Sequence, residues 1–154
     1  MQESLDRELQ RARRKKRPLA VVFLDLDHFK QFNDSFGHDA GDTVLRKIAE
    51  LFRQHFRGDD VICRYGGEEF AIILPESTAK DAAKRANQLR LHARKLKVRH
   101  NEQTLDQVTL SIGVAAYPEH GSTPDELLQA ADQCLYQSKS EGRDQVTVAT
   151  PQKV

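Results

Sequence analysis

At 154 residues the chain has room for one domain with a single real core, and little room for two. Lys and Arg number 24 against 23 Asp and Glu, a formal charge of +1, which argues against gripping duplex DNA through bulk charge. No apolar run nears the ~20 residues of a membrane helix, and the start does not read as a signal peptide. Cys63 and Cys134 stand far apart, outside any C-x-x-C pair, so neither a disulfide scaffold nor a zinc site is expected. A reducing compartment, the cytoplasm, is the expected location, with no membrane contact by this domain.

Leu5, Leu9 and Ala12 recur at i, i+4 and i+7, which predicts an amphipathic helix over residues 3–16, ended by Pro18. The run Leu19 to Leu24 is continuously apolar and of strand length, the mark of a strand buried on both faces. A short helix is expected around residues 29–35, broken at Gly37, with Phe32 and Phe36 as core packing. Val44, Leu45, Ile48, Leu51 and Phe52 line one face of a helix from about Asp42 to Phe56. Val61 to Arg64 and Phe70 to Leu74 read as two strands joined through Gly66-Gly67, a β-hairpin signal. A helix follows over Thr78 to Lys97, then a strand over Val108 to Tyr117 stopped by Pro118. Thr123-Pro124 supplies an N-cap and an N1 proline for a helix ending near Gly142, and Val146 to Val148 is a last short strand. The order β-α-α-β-β-α-β-α-β predicts an α/β (α+β) domain. One central, mostly antiparallel five-stranded sheet would be surrounded by helices.

Charge is unevenly spread. Residues 7–17 hold seven Lys or Arg and only Glu8, and Lys84 to His100 hold seven more and no acid. Between Asp25 and Asp42 the sign reverses, with five Asp against one Lys. Basic helix faces are ordinarily solvated surface; the functional alternative is attraction of a polyanion such as a nucleotide. Asp25 and Asp27 lie where the buried strand runs out, with the Leu26 carbonyl between them. The carboxyl end of a buried strand is a common ligand site. A hairpin tip bearing Glu68 and Glu69 can face them, and alternation aims only one of those glutamates inward. Carboxylates plus a carbonyl are hard oxygen ligands suited to Mg²⁺ or Mn²⁺.

The string Arg64-Tyr65-Gly66-Gly67-Glu68-Glu69-Phe70 resembles the signature of the GGDEF domains, diguanylate cyclases that join two GTP into cyclic di-GMP. Phe23-Leu24-Asp25-Leu26-Asp27-His28-Phe29-Lys30, Asn33-Asp34, Phe36-Gly37-His38 and Gly41-Asp42 match a second long block of the family. Ser111-Ile112-Gly113-Val114 and Ala131-Asp132, Leu135-Tyr136, Lys139 and Gly142-Arg143 match in the same order. The resemblance spans about Pro18 to Val148 and implies a palm-like nucleotidyl-cyclase fold over residues 18–150. Residues 1–17 are then expected to be a helix left from the connection to an upstream sensor or receiver domain.

The resemblance also implies roles. Asp25, the Leu26 carbonyl and Glu68 would bind the metal, with Glu68 commonly assigned as the base and Lys30 as a catalytic cation. Lys30, Lys139 and Arg143 would hold the triphosphate, helped by the Phe29 and Lys30 N–H groups at a helix start. Asn33 and Asp42 would read guanine, with His38 near the base. Guanine offers adjacent N1–H and amino donors that adenine lacks, so a mismatched base costs about 1–3 kcal/mol. Arg57 and Asp60 form the R-x-x-D of an inhibitory product site, to which Arg85 or Arg90 can contribute because Gln88 stands where the family has an arginine. Asp144 stands where Asn is usual. Catalysis by this scheme needs a homodimer, since one copy offers one base pocket and one metal site. Two other readings remain: a catalytically silent GGDEF domain that senses cyclic di-GMP or GTP, and a palm-like nucleic-acid enzyme. The latter is disfavoured because the chain has no room for a template channel, so no nucleic-acid polymer is expected as a partner.

Overall fold

In the computed structural model, which describes residues 1–151, the apolar run after Pro18 becomes β1 (Leu19–Leu26), buried at every position. Such a strand needs neighbours on both edges and a layer on both faces. β3 (Glu69–Pro75) and β6 (Leu110–Tyr117) supply the edges, both antiparallel to β1. β2 (Val61–Arg64) pairs outside β3 and β7 (Gln145–Val148) outside β6, giving the order β2-β3-β1-β6-β7. Only β6 and β7 run parallel. A parallel pair needs a crossover, and α5 (Pro124–Ser140) provides it.

The two faces of β1 feed two cores. Ala20, Val22, Leu24 and Leu26 pack with Phe29 and Phe32 of α2 (Phe29–Phe36), Val44, Ile48 and Phe52 of α3 (His38–His55), and Ala82, Ala86 and Leu89 of α4 (Ala79–Lys95). Leu19, Val21 and Phe23 pack with Leu5 and Leu9 of α1 (Gln2–Lys15) and with Leu127, Ala131 and Leu135 of α5. The sheet is therefore the middle of three layers. α1 is no loose appendage, because Leu5 and Leu9 are fully buried in the second core. α5 lies directly on β6: a β-carbon on Gly113 would sit 2.2 Å from the Ala131 carbonyl oxygen and 2.3 Å from the Leu135 nitrogen.

Local chemistry sets the helix limits. The Thr78 and Thr123 hydroxyls accept from the N–H groups of Asp81 and Glu126 and start α4 and α5. α3 starts at His38, four residues ahead of the apolar stripe that announced it near Asp42. Gly37, at φ 91°, supplies the whole break between α2 and α3, so polar residues 38–39 are already helical. A second small sheet escaped the sequence reading. β4 (Arg99–His100) and β5 (Gln103–Thr104) form a hairpin turned by Asn101 and Glu102, both at positive φ as a tight two-residue turn requires. Two-residue strands of polar composition carry no periodicity to detect.

Candidate active site

The end of β1 is where the two layers part. Strand alternation puts Asp25 on the α5 side, and Lys139 in the last turn of α5 donates a short hydrogen bond to Asp25 Oδ2. Asp25 is 4% exposed, and its Oδ1 is buried without a partner. Burial pushes the Asp25 carboxyl above its ordinary range. The Lys139 hydrogen bond and charge pull the other way, while Glu68 and Glu69 add repulsion. A buried carboxylate with an orphan oxygen, held by one lysine, is prepared to accept a further cation.

The β2–β3 hairpin brings the second carboxylate. Arg64 fastens the tip by donating to the Gly66 and Gly67 carbonyls, at 3.2 and 2.6 Å. The Tyr65 N–H closes the turn onto the Glu69 carbonyl at 2.8 Å, and the Leu26 N–H reaches across to the Glu68 carbonyl at 3.2 Å. That last bond ties the hairpin to the end of β1. Glu68 consequently lines one pocket with Asp25, Leu26, Phe29, Lys30, Lys139 and Arg143. Glu69, the register partner of Asp25, lines a separate recess with Phe23, Tyr65, Asp132 and Leu135. Of the two glutamates, the pocket thus receives Glu68.

Asp27 has a different task from Asp25. Its Oδ1 accepts from Ser111 Oγ at 2.5 Å; its Oδ2 accepts from Thr109 Oγ1 at 2.7 Å and from the Asp144 N–H at 3.0 Å. Three donors occupy both of its oxygens, so it braces the loop around Asp144, whereas Asp25 keeps an oxygen without a partner. Sequence reasoning missed these donors. The available signal was Ser111, a hydroxyl in an otherwise apolar strand.

Of the other candidate residues, Phe29 and Lys30 line the pocket, whereas Asn33, His38 and Asp42 are not among its lining residues. Lys30 stands beside Phe29 at the start of α2, where main-chain N–H groups favour an anion. Asn33 sits one turn further along α2, and its Oδ1 is buried without a partner. A β-carbon on Gly41 would fall 1.9 Å from that oxygen, so the side-chain-free Gly41 lets α3 close on Asn33. Asp42 follows in α3 with an exposed side chain, and His38 is exposed at the first position of that helix.

The R-x-x-D segment lies apart, between α3 and β2. Asp60 Oδ2 accepts from the Arg57 N–H at 2.7 Å and from Arg85 Nη2 at 2.6 Å, and its side chain is only 2% exposed. Arg85 also donates to the His55 carbonyl and lies over the Phe56 ring, 5.4 Å from its centre. Arg57 itself is exposed. Of the two arginines suggested for this segment, Arg85 is present, and Arg90 is not. Arg90 is committed to Asp144 at 2.9 Å and to Asn87, at the far end of α4.

Oxygen donors dominate the strand-end pocket: the Asp25 and Glu68 carboxylates and the Leu26 carbonyl. Among the described residues no group of three or more His, Cys, Asp and Glu forms a metal cluster. A site with two carboxylates and a carbonyl suits a hard divalent ion that keeps water and substrate oxygens in its shell. The orphan Asp25 Oδ1 fits such an ion.

A buried strand ending in carboxylates is thus faced by a Gly-Gly hairpin and by lysine and arginine, groups suited to a metal-bound anion. The family model for "Diguanylate cyclase, GGDEF domain" matches residues 1–145, and the chain belongs to that family. The match takes in α1. The response regulator PleD of Caulobacter vibrioides is 42% identical over 148 residues, 95% of this chain and 32% of PleD. The chain thus spans about a third of the length of the curated relatives it matches. The GGDEF domain of DgcB from Caulobacter crescentus, in complex with c-di-GMP, is 33% identical with a TM-score of 0.89, covering 95% of this chain and 86% of that one. The active GGEEF domain of a diguanylate cyclase from Vibrio cholerae is 29% identical with a TM-score of 0.90, covering 98% and 95%. No helix among the described residues is long and apolar enough to cross a membrane.

Proposed function

We propose that this chain is a diguanylate cyclase domain that condenses two GTP into cyclic di-GMP and two pyrophosphates. One observation carries the reading: the fold gathers Asp25 and Glu68 with Lys30, Lys139 and Arg143 around a single strand-end pocket. Asp25 and Glu68, facing Lys30, Lys139 and Arg143 in one pocket, match a metal-bound triphosphate better than any neutral ligand. The relatives named above support the same reaction, and a GGEEF signature such as Gly66 to Phe70 occurs in a domain described as active.

In this scheme Asp25, the Leu26 carbonyl and Glu68 would hold Mg²⁺ or Mn²⁺. The bound ion would offset charge on the α-phosphate and lower the pKa of the attacking hydroxyl. Lys139 changes partner, leaving Asp25 for the phosphates, and Lys30 and Arg143 complete the cationic wall. Once Lys139 has moved, these cations stabilise the charge developing on the phosphoryl oxygens. The 3′-oxygen of one GTP attacks the α-phosphorus of the other. A new P–O bond forms, the α–β bridge breaks, and pyrophosphate leaves. Glu68 takes the 3′-hydroxyl proton.

Asn33 and Asp42 are assigned to guanine, and the orphan Asn33 Oδ1 is the acceptor that its amino or N1–H donor would satisfy. Because each copy holds one such pocket, both attacks require two copies face to face. Cyclic di-GMP is assigned to Arg57 and Asp60, with Arg85 released from Asp60 as it binds.

The test is to incubate the protein at high concentration with GTP and Mg²⁺ and separate the nucleotides by chromatography. Cyclic di-GMP and pyrophosphate are expected, with turnover abolished in Glu68→Gln. GTP binding without product would turn the reading into that of a receptor. No binding and no product from folded protein would refute both.

A further inference from the structure

Arg143 reaches the substrate pocket from a backbone that requires external support. Arg143 and Asp144 are consecutive non-glycine residues at φ 63° and 48°, a region that L side chains rarely adopt. The main-chain polar groups of Arg143 and Asp144, and the Asp144 carboxylate, all have partners. The Arg143 N–H donates to the Ser138 carbonyl at 2.9 Å, and Gln145 Nε2 donates to the Arg143 carbonyl at 3.2 Å. The Asp144 N–H is held by Asp27 at 3.0 Å. From the other side α4 closes the clamp. Arg90 Nη1 donates to the Asp144 carbonyl at 3.1 Å and to its Oδ1 at 2.9 Å, and Arg94 Nε lies 3.3 Å from its Oδ2.

Neither Arg90 nor Arg94 lines the pocket. Their effect on it has two parts. They hold the left-handed turn that aims Arg143, and they sequester a carboxylate that stands one residue from a phosphate-binding arginine. Released, the Asp144 carboxylate would compete with phosphate for Arg143. Arg90 is well placed for this, since its side chain is only 15% exposed and the pair is poorly screened.

We propose that Arg90, with Arg94 as its second, is a positioning residue for substrate triphosphate, acting through Asp144 on Arg143. This rests on the cyclase reading in one respect, the assignment of Arg143 to phosphate. The helix that carries Arg85 to the R-x-x-D segment thereby also carries the support of the substrate pocket.

The experiment measures binding of a GTP analogue with a methylene α–β bridge, in Mg²⁺, by calorimetry on the full chain. It compares the wild type, Arg90→Ala, Arg90→Lys, Asp144→Asn, Arg143→Ala and the Arg90→Ala/Arg143→Ala double variant. Arg90→Ala is expected to weaken binding about 10-fold, Arg90→Lys and Asp144→Asn less. Guanosine, which has no phosphate, should bind all variants alike. In steady state the KM for GTP should rise while kcat changes less than threefold. The deciding result is the double variant, where removing Arg90 should cost nothing once Arg143 is gone. An undiminished Arg90 effect in the Arg143→Ala background, or equal loss of guanosine binding, would overturn the proposal. Should Arg90→Ala misfold, Arg90→Lys and Asp144→Asn carry the same cycle. If Arg143→Ala binds the analogue as well as wild type does, the cyclase reading of that residue fails, and the positioning role fails with it. An Arg143 effect without an Arg90 effect removes only the positioning role.

Discussion

Gly113 is where one added methyl group should do the most damage. Its β-carbon would meet the Ala131 carbonyl oxygen at 2.2 Å, the Leu135 nitrogen at 2.3 Å and the Cys134 carbonyl carbon at 2.9 Å. All three are main-chain atoms, so no side chain can swing aside. Ordinary contact begins near 3.4 Å, about 1.2 Å beyond the shortest of these distances, and α5 must lift off β6 by roughly that amount. A gap of 0.5–1 Å already forfeits about a quarter to a half of the dispersion well at each contact. Leu127, Ala131 and Leu135 all sit at that seam. Overpacking of this kind costs about 1–3 kcal/mol, and the rigidity of the neighbours favours the upper end. At about 2–4 °C per kcal/mol, Gly113→Ala should lower Tm by about 6–12 °C. Lys139 rides on the same helix, and a displacement near 1 Å in a catalytic group can cost about 100-fold in rate. The assay is thermal unfolding by circular dichroism alongside turnover of GTP at a temperature where the variant is folded. Gly58→Ala is the control, since nothing lies within 4 Å of its β-carbon. A Gly113→Ala protein melting within 2 °C of wild type would refute the packing argument.

Three further outcomes follow from the site and its surroundings. Lys139→Met strips the cation from a carboxylate whose side chain is 6% exposed; discounting for the 33% exposure of Lys139, the loss should be about 2–3 kcal/mol in denaturant titration. Asp25→Asn in the same chain should restore most of it, and an additive double variant would contradict the pairing. His55 is held below its ordinary pKa by burial, then by His92 and Arg85, and His120 by burial. The unfolded chain therefore takes up protons first as pH falls through about 6.5. Stability present above that pH should decline below it, by up to about 1.4 kcal/mol per pH unit for each histidine. His92→Gln should soften the slope in melts between pH 7.5 and 5.5. Asp60→Asn should remove high-affinity cyclic di-GMP binding, read by calorimetry, while leaving the KM for GTP within twofold.

The order of elements was legible because its signals are strong ones. LAVVFL carries the mark of a doubly buried strand, Thr123-Pro124 supplies an N-cap and an N1 proline, and Gly66-Gly67 turns a hairpin between two apolar runs. Asp25, Glu68, Lys139 and Arg143 were picked out as candidate site residues through a resemblance carried by long ordered blocks, and the fold brings them to one pocket. What stayed hidden was long-range partnership. Nothing in the local sequence around Asp27 says that Ser111 and Thr109, more than eighty positions away, donate to it. Likewise Arg85 and Arg90 lie five residues apart on one helix, so they face different ways. Only the packing of α4 decides that one meets Asp60 and the other Asp144. Side-chain bonds that cross layers depend on register and crossing angle, which periodicity does not encode.

β1 has a strand on each edge and a core on each face, so its amides can exchange with solvent only when most of the molecule opens. Asp25 and Leu26 are the last residues of that strand; a turn and a short helix follow them, and the β2–β3 hairpin tip lies against them. The proposed metal carboxylate therefore stands at the boundary between the slowest-exchanging and the faster-exchanging parts of the protein. The strand end can stay fixed through local fluctuations while the turn, the short helix and the hairpin tip around it rearrange. A deuterium-exchange profile should show that boundary as a sharp step in protection between Leu26 and Phe29.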